Sequence, residues 1–262
     1  MLERAKREMR MIGTAAGALG ATVVLGACGG TAQSTASTSE AGVDAGLPKG
    51  SEPYELDPAD FTTKIDNDYM PMAVGSKWLY HETDIEGTRE VIEVEVLDET
   101  KMIANGIEAR VVRDTVTEDG EVVEDTLDWY AQDTAGNVWY LGEDTHEYVN
   151  GKVANSKGAW EAGVDGALAG VVMPATPTDG QRYRQEWYAE EAEDEAEVLA
   201  TDEIAEAPFG FFEDVVLTKD LVPLEPKVNE YKMYAPGVGL VEAVHTSGGT
   251  GLEQLIEFTP GK

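Results

Sequence analysis

The segment EVVEDTLDWYAQDTAGNVWYLGED, residues 121–144, carries the clearest secondary-structure pattern in this chain. Its two halves, 121–133 and 137–143, are rich in β-branched and aromatic residues, and the first half alternates apolar with polar side chains. Thr134, Ala135 and Gly136 separate the halves, and short runs that contain glycine favour tight turns. The segment therefore predicts a β-hairpin.

Similar patterns recur on both sides of this hairpin. They occupy residues 91–96, 107–117, 181–189, 209–219, 229–245 and 252–258. The dipeptides Asp119-Gly120 and Asn150-Gly151 are typical of two-residue hairpin turns. A series of consecutive hairpins predicts an antiparallel meander.

Two regions interrupt the pattern. Residues 158–180 hold five glycines and two prolines with little alternation, which indicates a long packed loop at the mouth or across one face of the sheet. The acidic residues 190–197 are expected to lie outside strands. No repeat of 20 to 50 residues indicates a propeller or a solenoid. The predicted fold is mainly β, with a single antiparallel, strongly curved sheet or open barrel.

The charge of the chain limits its partners. The 262 residues include 19 Lys and Arg against 51 Asp and Glu, a formal net charge of -32. Such a charge repels nucleic acid and anionic lipid headgroups and favours cations or basic protein surfaces. A solvated acidic surface that keeps the protein soluble explains the same composition.

The N-terminus has the features of a secretory signal. Basic residues in 2–10 precede the uncharged run Met11–Ala27, which is short for a membrane-spanning helix. Leu25-Gly26-Ala27-Cys28 resembles the bacterial lipobox, in which the cysteine is lipidated and becomes the new N-terminus. We therefore expect a signal peptide at 1–27, lipidated Cys28 with a flexible tether to residue 53, and one β-rich domain at 54–262. The expected location is the cell envelope, outside the cytoplasm, with the lipid on Cys28 as the membrane anchor.

Motifs for catalysis, cofactors and metals are missing from the sequence. His81, His146 and His245 are the only histidines, and none has the close spacing typical of a metal site. The sequence also contains no calcium-binding loop of the EF-hand type, no nucleophile elbow, no phosphate loop and no dinucleotide fingerprint. We therefore predict no catalytic residue, no cofactor and no metal ligand.

Aromatic side chains are the remaining candidates for a binding site. Five of them are predicted to contact a ligand: Trp78, Trp129, Tyr140, Trp187 and Tyr231. Neighbouring residues of a strand point to opposite faces, so pairs such as Trp129-Tyr130 and Trp139-Tyr140 place one ring on each side of the sheet. The rings would either line a cleft for an apolar ligand or fill the core and pack under a loop.

Several segments in combination resemble one family of bacterial secreted or lipid-anchored proteins. They are FTTKIDNDYMPMAVGSKWLY at 61–80, DWYAQDTAGNVWYLGED at 128–144, GAWEAGVDGALAGVVMPATP at 158–177, YRQEWY at 183–188 and YKMYAPGVGLVE at 231–242. The resemblance implies a single domain and brings no assigned activity. YAPGVGLV at 234–241 is similar to a hairpin turn of envelope lipoproteins with LolA-like half-barrel sheets, which implies a curved sheet.

These observations leave three hypotheses for function. The first is a lipid-anchored envelope protein, not an enzyme, that binds an apolar ligand through an aromatic-lined sheet. The second is an acidic interaction module at the cell surface that binds a basic protein. The third is a hydrolase that uses a pair of carboxylates, which sequence alone does not identify among so many acidic residues.

Overall fold

Long antiparallel strands account for most of the described chain. The computed structural model describes residues 46–83, 87–224, 226, 229–246 and 251–262. The strands within these ranges are β1 (Phe61–Thr62), β2 (Lys77–Thr83), β3 (Arg89–Met102), β4 (Glu108–Glu118), β5 (Glu121–Asp133), β6 (Val138–Val149), β7 (Lys152–Asn155), β8 (Trp160–Glu161), β9 (Leu168–Met173), β10 (Arg182–Arg184), β11 (Glu186–Trp187), β12 (Glu195–Ala207), β13 (Gly210–Leu221), β14 (Glu230–Ala235), β15 (Gly239–His245) and β16 (Gly251–Thr259). A 3₁₀ turn at Pro58–Asp60 precedes them. Among these residues no helix is long and apolar enough to span a membrane.

The strands form one antiparallel sheet that curves around on itself. Its order is β10-β12-β13-β14-β15-β16-β2-β3-β4-β5-β6-β9-β11, with β1, β7 and β8 attached to β5 or β6. Most neighbours are consecutive hairpin strands, as the meander pattern predicts. The prediction of a mainly β fold with a strongly curved, nearly closed sheet is confirmed.

The two ends of the sheet meet in one short segment of the chain. β10 pairs with β12 and β11 pairs with β9, yet only Gln185 separates β10 from β11. The segment 182–187 therefore changes partner midway and joins the two edges without pairing along its whole length. We call this junction the seam.

Arg184 holds the seam together from the inside. Its Nε donates a hydrogen bond to the Ala169 carbonyl of β9 at 3.0 Å, and its Nη1 donates to the carbonyls of Gly50 and Glu52 at 2.7 and 2.8 Å. The predicted tether therefore ends in residues 46–53 that pack against the seam. The signal peptide, Cys28 and the rest of the predicted tether lie outside the described residues.

The turn predictions are confirmed. Asp119 and Gly120 join β4 to β5 with φ of 51° and 84°, and Asn150 and Gly151 join β6 to β7 with φ of 53° and 70°. Positive φ at both central residues gives the turn whose twist matches a hairpin. Residues 134–137 join β5 to β6, as expected.

Three strands in the two interrupting regions, β8, β9 and β12, lie where the sequence indicated none. The region 158–180 is packed as predicted, but it includes β8 and the sheet strand β9. β9 is buried on both faces, so it lacks the polar alternation that identifies other strands. β12 begins at Glu195, so the expectation that the acidic residues 190–197 lie outside strands holds for 190–194 and is wrong for 195–197. There Ala196 and Val198 face the core while acidic residues alternate outward.

Candidate functional site

The curved sheet encloses a small cavity near one end. Residues 65–72 cross this end of the sheet, because the Gly237 amide donates to the Asp68 carbonyl at 2.7 Å and Asn67 Nδ2 donates to the Pro174 carbonyl at 3.1 Å. Met70 and Pro71 of this segment are partly exposed and form the rim. The cavity is therefore reached from the side where the 65–72 segment lies.

The cavity combines an apolar wall with a polar base. Its apolar and aromatic lining consists of Met70, Pro71, Met72, Trp78, Tyr80, Val94, Val112, Tyr130, Val172, Tyr234, Gly239 and Leu240. Asp114, Asp128, Gln185 and Lys232 supply the polar groups. Its free volume is about 70 Å³, whereas an engineered cavity that admits benzene measures about 150 Å³. The cavity accepts a small group or the end of a longer molecule.

Of the five aromatic residues predicted to bind a ligand, only Trp78 lines this cavity. Its ring stacks on Phe258 with centroids 5.2 Å apart, and its Nε1 donates to the Val238 carbonyl at 2.7 Å. These contacts fix the ring in the wall of the cavity. Tyr140 lies one layer deeper and stacks on the cavity residue Tyr130 at 5.0 Å.

The other three predicted aromatics lie away from the cavity. Trp129 is buried with Lys101 Nζ 3.4 Å above its ring. Trp187 is half-buried in β11 at the seam, and Tyr231 is half-buried in β14 with Lys219 Nζ 5.8 Å from its ring. The structure therefore does not bring the five rings together.

A hydroxyl and two carboxyls form a buried network beside the cavity. The Tyr140 hydroxyl lies 2.7 Å from Asp128 Oδ1 and 2.5 Å from Glu143 Oε2. One hydroxyl proton is donated to only one acceptor, so the second contact requires a proton on one carboxyl. Burial raises the pKa of Asp128 to about 6, although the hydrogen bond from Tyr140 lowers it. Asp128 therefore changes charge near neutral pH.

Lys232, at the base of the cavity, is neutralised by two carboxylates. Its Nζ contacts Asp220 Oδ2 and lies 3.2 Å from Glu230 Oε2, with all three residues buried. Burial alone would lower the pKa of Lys232, but attraction to these carboxylates raises it well above its ordinary value. Burial raises the pKa of Asp220 to about 6, while attraction to Lys232 holds the pKa of Glu230 below its usual range.

Buried acidic residues far outnumber buried basic ones, a feature that the sequence patterns did not reveal. The described residues include ten buried carboxyls: Glu82, Asp114, Glu124, Asp128, Glu143, Glu186, Asp194, Asp220, Glu230 and Glu253. The buried basic side chains are Arg184, Lys232 and His245. Because buried charge is costly, the excess requires protons, hydrogen bonds or bound cations.

The three histidines do not meet. His81 is exposed on β2 and His146 is partly exposed on β6, whereas His245 is buried at the end of β15. A zinc site of three histidines is therefore not formed. His245 instead lies beside Glu82 and Glu253, a mixed cluster that no sequence spacing indicated.

Comparison with known proteins gives two solved structures. No protein-family model matches the chain, and no curated protein matches it significantly. A protein from Bacteroides fragilis, assigned as exported with a YmcC-like fold, is 15% identical over 74% of this chain and 100% of its own, with a TM-score of 0.44. A protein from Parabacteroides distasonis, assigned as a lipoprotein, is 15% identical over 74% of this chain and 99% of its own, with a TM-score of 0.41.

Proposed function

We propose that this chain is a lipid-anchored protein of the bacterial cell envelope, outside the cytoplasm, that binds a ligand without converting it. The ligand places a small apolar group in the internal cavity and a cationic or hydrogen-bond-donating group near its base. The observation that carries this proposal is the apolar wall around Asp114 and Asp128. Lys232 lines the same base, but Asp220 and Glu230 already neutralise it. Asp114 and Asp128 are therefore the groups that make the base of the cavity acidic.

The size of the cavity narrows the ligand class. With about 70 Å³ of free volume, the cavity does not enclose a whole lipid. The end of an acyl chain or of a short aliphatic amine fits between Trp78 and Leu240, while the remainder of the ligand lies at the rim formed by Met70 and Pro71. The proposed ligand is thus an amphiphile held by one end.

Methyl NMR tests the cavity directly with n-hexylamine as the probe. In protein labelled on methionine methyls, the signals of the lining residues Met70 and Met72 are expected to shift as hexylamine is added, because its chain enters beside them. The signal of Met102, whose side chain is exposed, serves as the internal control. The chain 29–262, which retains every described residue, is suitable for this measurement.

The charge preference is tested with n-hexanoate, a matched chain of opposite charge. Hexylamine is expected to bind at least about tenfold more tightly, a difference of about 1.4 kcal/mol, because the base of the cavity is acidic. The proposed site would be contradicted if the Met102 signal shifted as much as the signals of Met70 and Met72. It would also be contradicted if neither probe shifted the signals of Met70 and Met72. If the two probes bound with equal affinity, the site would not require a cationic group on its ligand. Native mass spectrometry of the protein purified from a bacterial host then identifies the bound ligand.

The anchor is tested separately at Cys28. Cys28→Ser is expected to abolish incorporation of labelled palmitate and to release the protein from the membrane fraction, because Cys28 is the only cysteine in the chain. Two or more acyl chains give the stable attachment that one chain does not. Thr31→Ser, in the same predicted tether, is the matched control and is expected to label normally. Undiminished labelling of Cys28→Ser would refute the anchor.

A further inference from the structure

Three ligand-type side chains meet inside the sheet, away from the rim of the cavity. Glu82 of β2 and Glu253 of β16 are cross-strand partners, and His245 of β15 pairs with Gly251 of β16. One ligand atom from each of Glu82, His245 and Glu253 lies within 4.8 Å of the others. Their exposed fractions are 3%, 6% and 2%. The sheet therefore holds an imidazole and two carboxyls together in a buried space.

The His245 ring provides a second observation that points to a ligand. Its Nε2 makes no hydrogen bond, although it lies 3.5 Å from Glu230 Oε1 and 4.0 Å from Glu82 Oε1. A buried polar atom without a hydrogen bond costs about 1–3 kcal/mol. A cation between Nε2 and the carboxylates would use the nitrogen lone pair and remove this cost. Nε2 therefore lies next to Glu82 of the cluster and to the neighbouring Glu230.

The surrounding charge also favours a cation. Glu82, Glu230 and Glu253 lie around His245, and among the described residues Lys232 is a buried cation that contacts Glu230. Lys232 is shared between Glu230 and Asp220. A divalent cation would be attracted to this group of carboxyls and would lower the cost of burying them in charged form.

Gly251 leaves the space that the cluster requires. A side chain at this position would begin 3.2 Å from Glu82 Oε1 and 3.4 Å from His245 Cδ2. The distance to Glu82 is tighter than ordinary van der Waals contact and the distance to His245 is at its lower limit, so a larger residue would displace the carboxylate. Glycine therefore leaves space for both groups at a common centre.

We propose that Glu82, His245 and Glu253 bind a divalent transition-metal ion, with zinc as the best fit. One imidazole nitrogen and two carboxylate oxygens are ligands that suit zinc and its neighbours in the first row, whereas calcium and magnesium prefer oxygen alone. Bonds of about 2.0–2.2 Å bring tetrahedral ligands to about 3.4 Å from one another. The 4.0 Å between His245 Nε2 and Glu82 Oε1 closes to that value by a small side-chain rotation. This inference does not depend on the ligand cavity.

The test is a titration of the full-length protein, stripped with EDTA and kept in detergent, with Zn²⁺ by calorimetry and with Co²⁺ by visible absorption. Excess Mg²⁺ in the buffer occupies the acidic surface. We expect one ion per chain and, for Co²⁺, the intense visible bands of a low-coordinate nitrogen and oxygen site. His245→Gln and Glu253→Gln are each expected to weaken Zn²⁺ binding at least about tenfold.

His81→Gln is the matched control, since His81 precedes Glu82 on the same strand but is exposed on the opposite face. It is expected to bind Zn²⁺ as the unchanged protein does. The proposal is overturned if the unchanged protein binds no Zn²⁺ or Co²⁺ at this stoichiometry, an outcome that does not depend on how any variant folds. It is also overturned if His245→Gln, shown by circular dichroism to be folded, binds Zn²⁺ with unchanged affinity.

Discussion

Replacing Lys232 with methionine is expected to lower the free energy of unfolding by about 3–5 kcal/mol. Methionine keeps most of the volume and removes the ammonium group that Asp220 and Glu230 share. Both carboxylates are buried, so each must then remain charged without its partner or take up a proton. Urea denaturation at neutral pH measures the loss.

The pH dependence of this loss follows from the pKa shifts. Attraction to Lys232 holds the pKa of Glu230 below its ordinary value, so its stabilising effect is present above that value and is lost as the pH falls through the folded-state pKa. The pKa of Asp220 is raised to about 6 by burial, so this group favours the folded state at low pH and loses that effect as the pH rises toward 6. Without Lys232 both carboxyls behave as Asp220 does. The deficit of the Lys232→Met variant should therefore shrink in acid.

Lys77→Met is the matched control for this prediction. Lys77 lies 2.9 Å from Glu95 on the neighbouring strand, but both side chains are substantially exposed. An exposed pair of this kind is worth about 0–1 kcal/mol. If Lys232→Met and Lys77→Met unfold at the same urea concentration, the buried cluster is not a stabilising ion pair.

Local turn chemistry made much of the fold predictable. Asp119-Gly120 and Asn150-Gly151 favour hairpin turns through their own backbone preferences. Two adjacent residues are therefore enough to predict where each hairpin turns. Hairpins in series then give an antiparallel meander. The curvature of the sheet, by contrast, depends on the partner change at 182–187, which no local pattern records.

The strands that sequence reasoning missed lack the usual alternation for physical reasons. The sequence of β9 is an unbroken run of small and apolar residues because other parts of the chain cover both faces of this strand. β12 is rich in alanine and acid, both weak strand formers, and tertiary pairing with β13 overrides that preference. Its inward positions Ala196 and Val198 are fully buried, which is visible only once the register is known.

The candidate sites depend on long-range register even more strongly. Glu82 and Glu253 are distant in sequence, and only the pairing of β2 with β16 makes them neighbours. No nearby sequence feature distinguishes Glu82 or Glu253 from the many other acidic residues of this chain. Trp78 and Trp129 look alike in sequence, yet one lines the cavity and the other packs beside Lys101. Sequence shows which residue types are present, while register decides which of them meet.

The seam provides the other prediction with a large expected effect: Gly170→Ala should lower the free energy of unfolding by about 3 kcal/mol or more, the upper end of the cost of overpacking. A Cβ at Gly170 would lie closer than 3.0 Å to the carbonyl oxygens of Arg184 and Gln185. These atoms belong to the backbone, so no side chain is able to rotate away. The segment 182–187 must instead shift, which weakens the hydrogen bond from Arg184 to Ala169.

Gly210→Ala is the control for this prediction, because neither Gly170 nor Gly210 has a positive φ. The Cβ added at Gly210 would contact only Phe212, at 3.9 Å. We expect a change within about 0.5 kcal/mol there. Hydrogen exchange distinguishes a seam defect from general destabilisation, since faster exchange in Gly170→Ala should concentrate in 168–173 and 182–187. Equal stability of the two variants would show that the seam tolerates displacement. Loss concentrated at the seam would instead show that the close approach of these two segments completes the curved sheet, and with it the wall around both candidate sites.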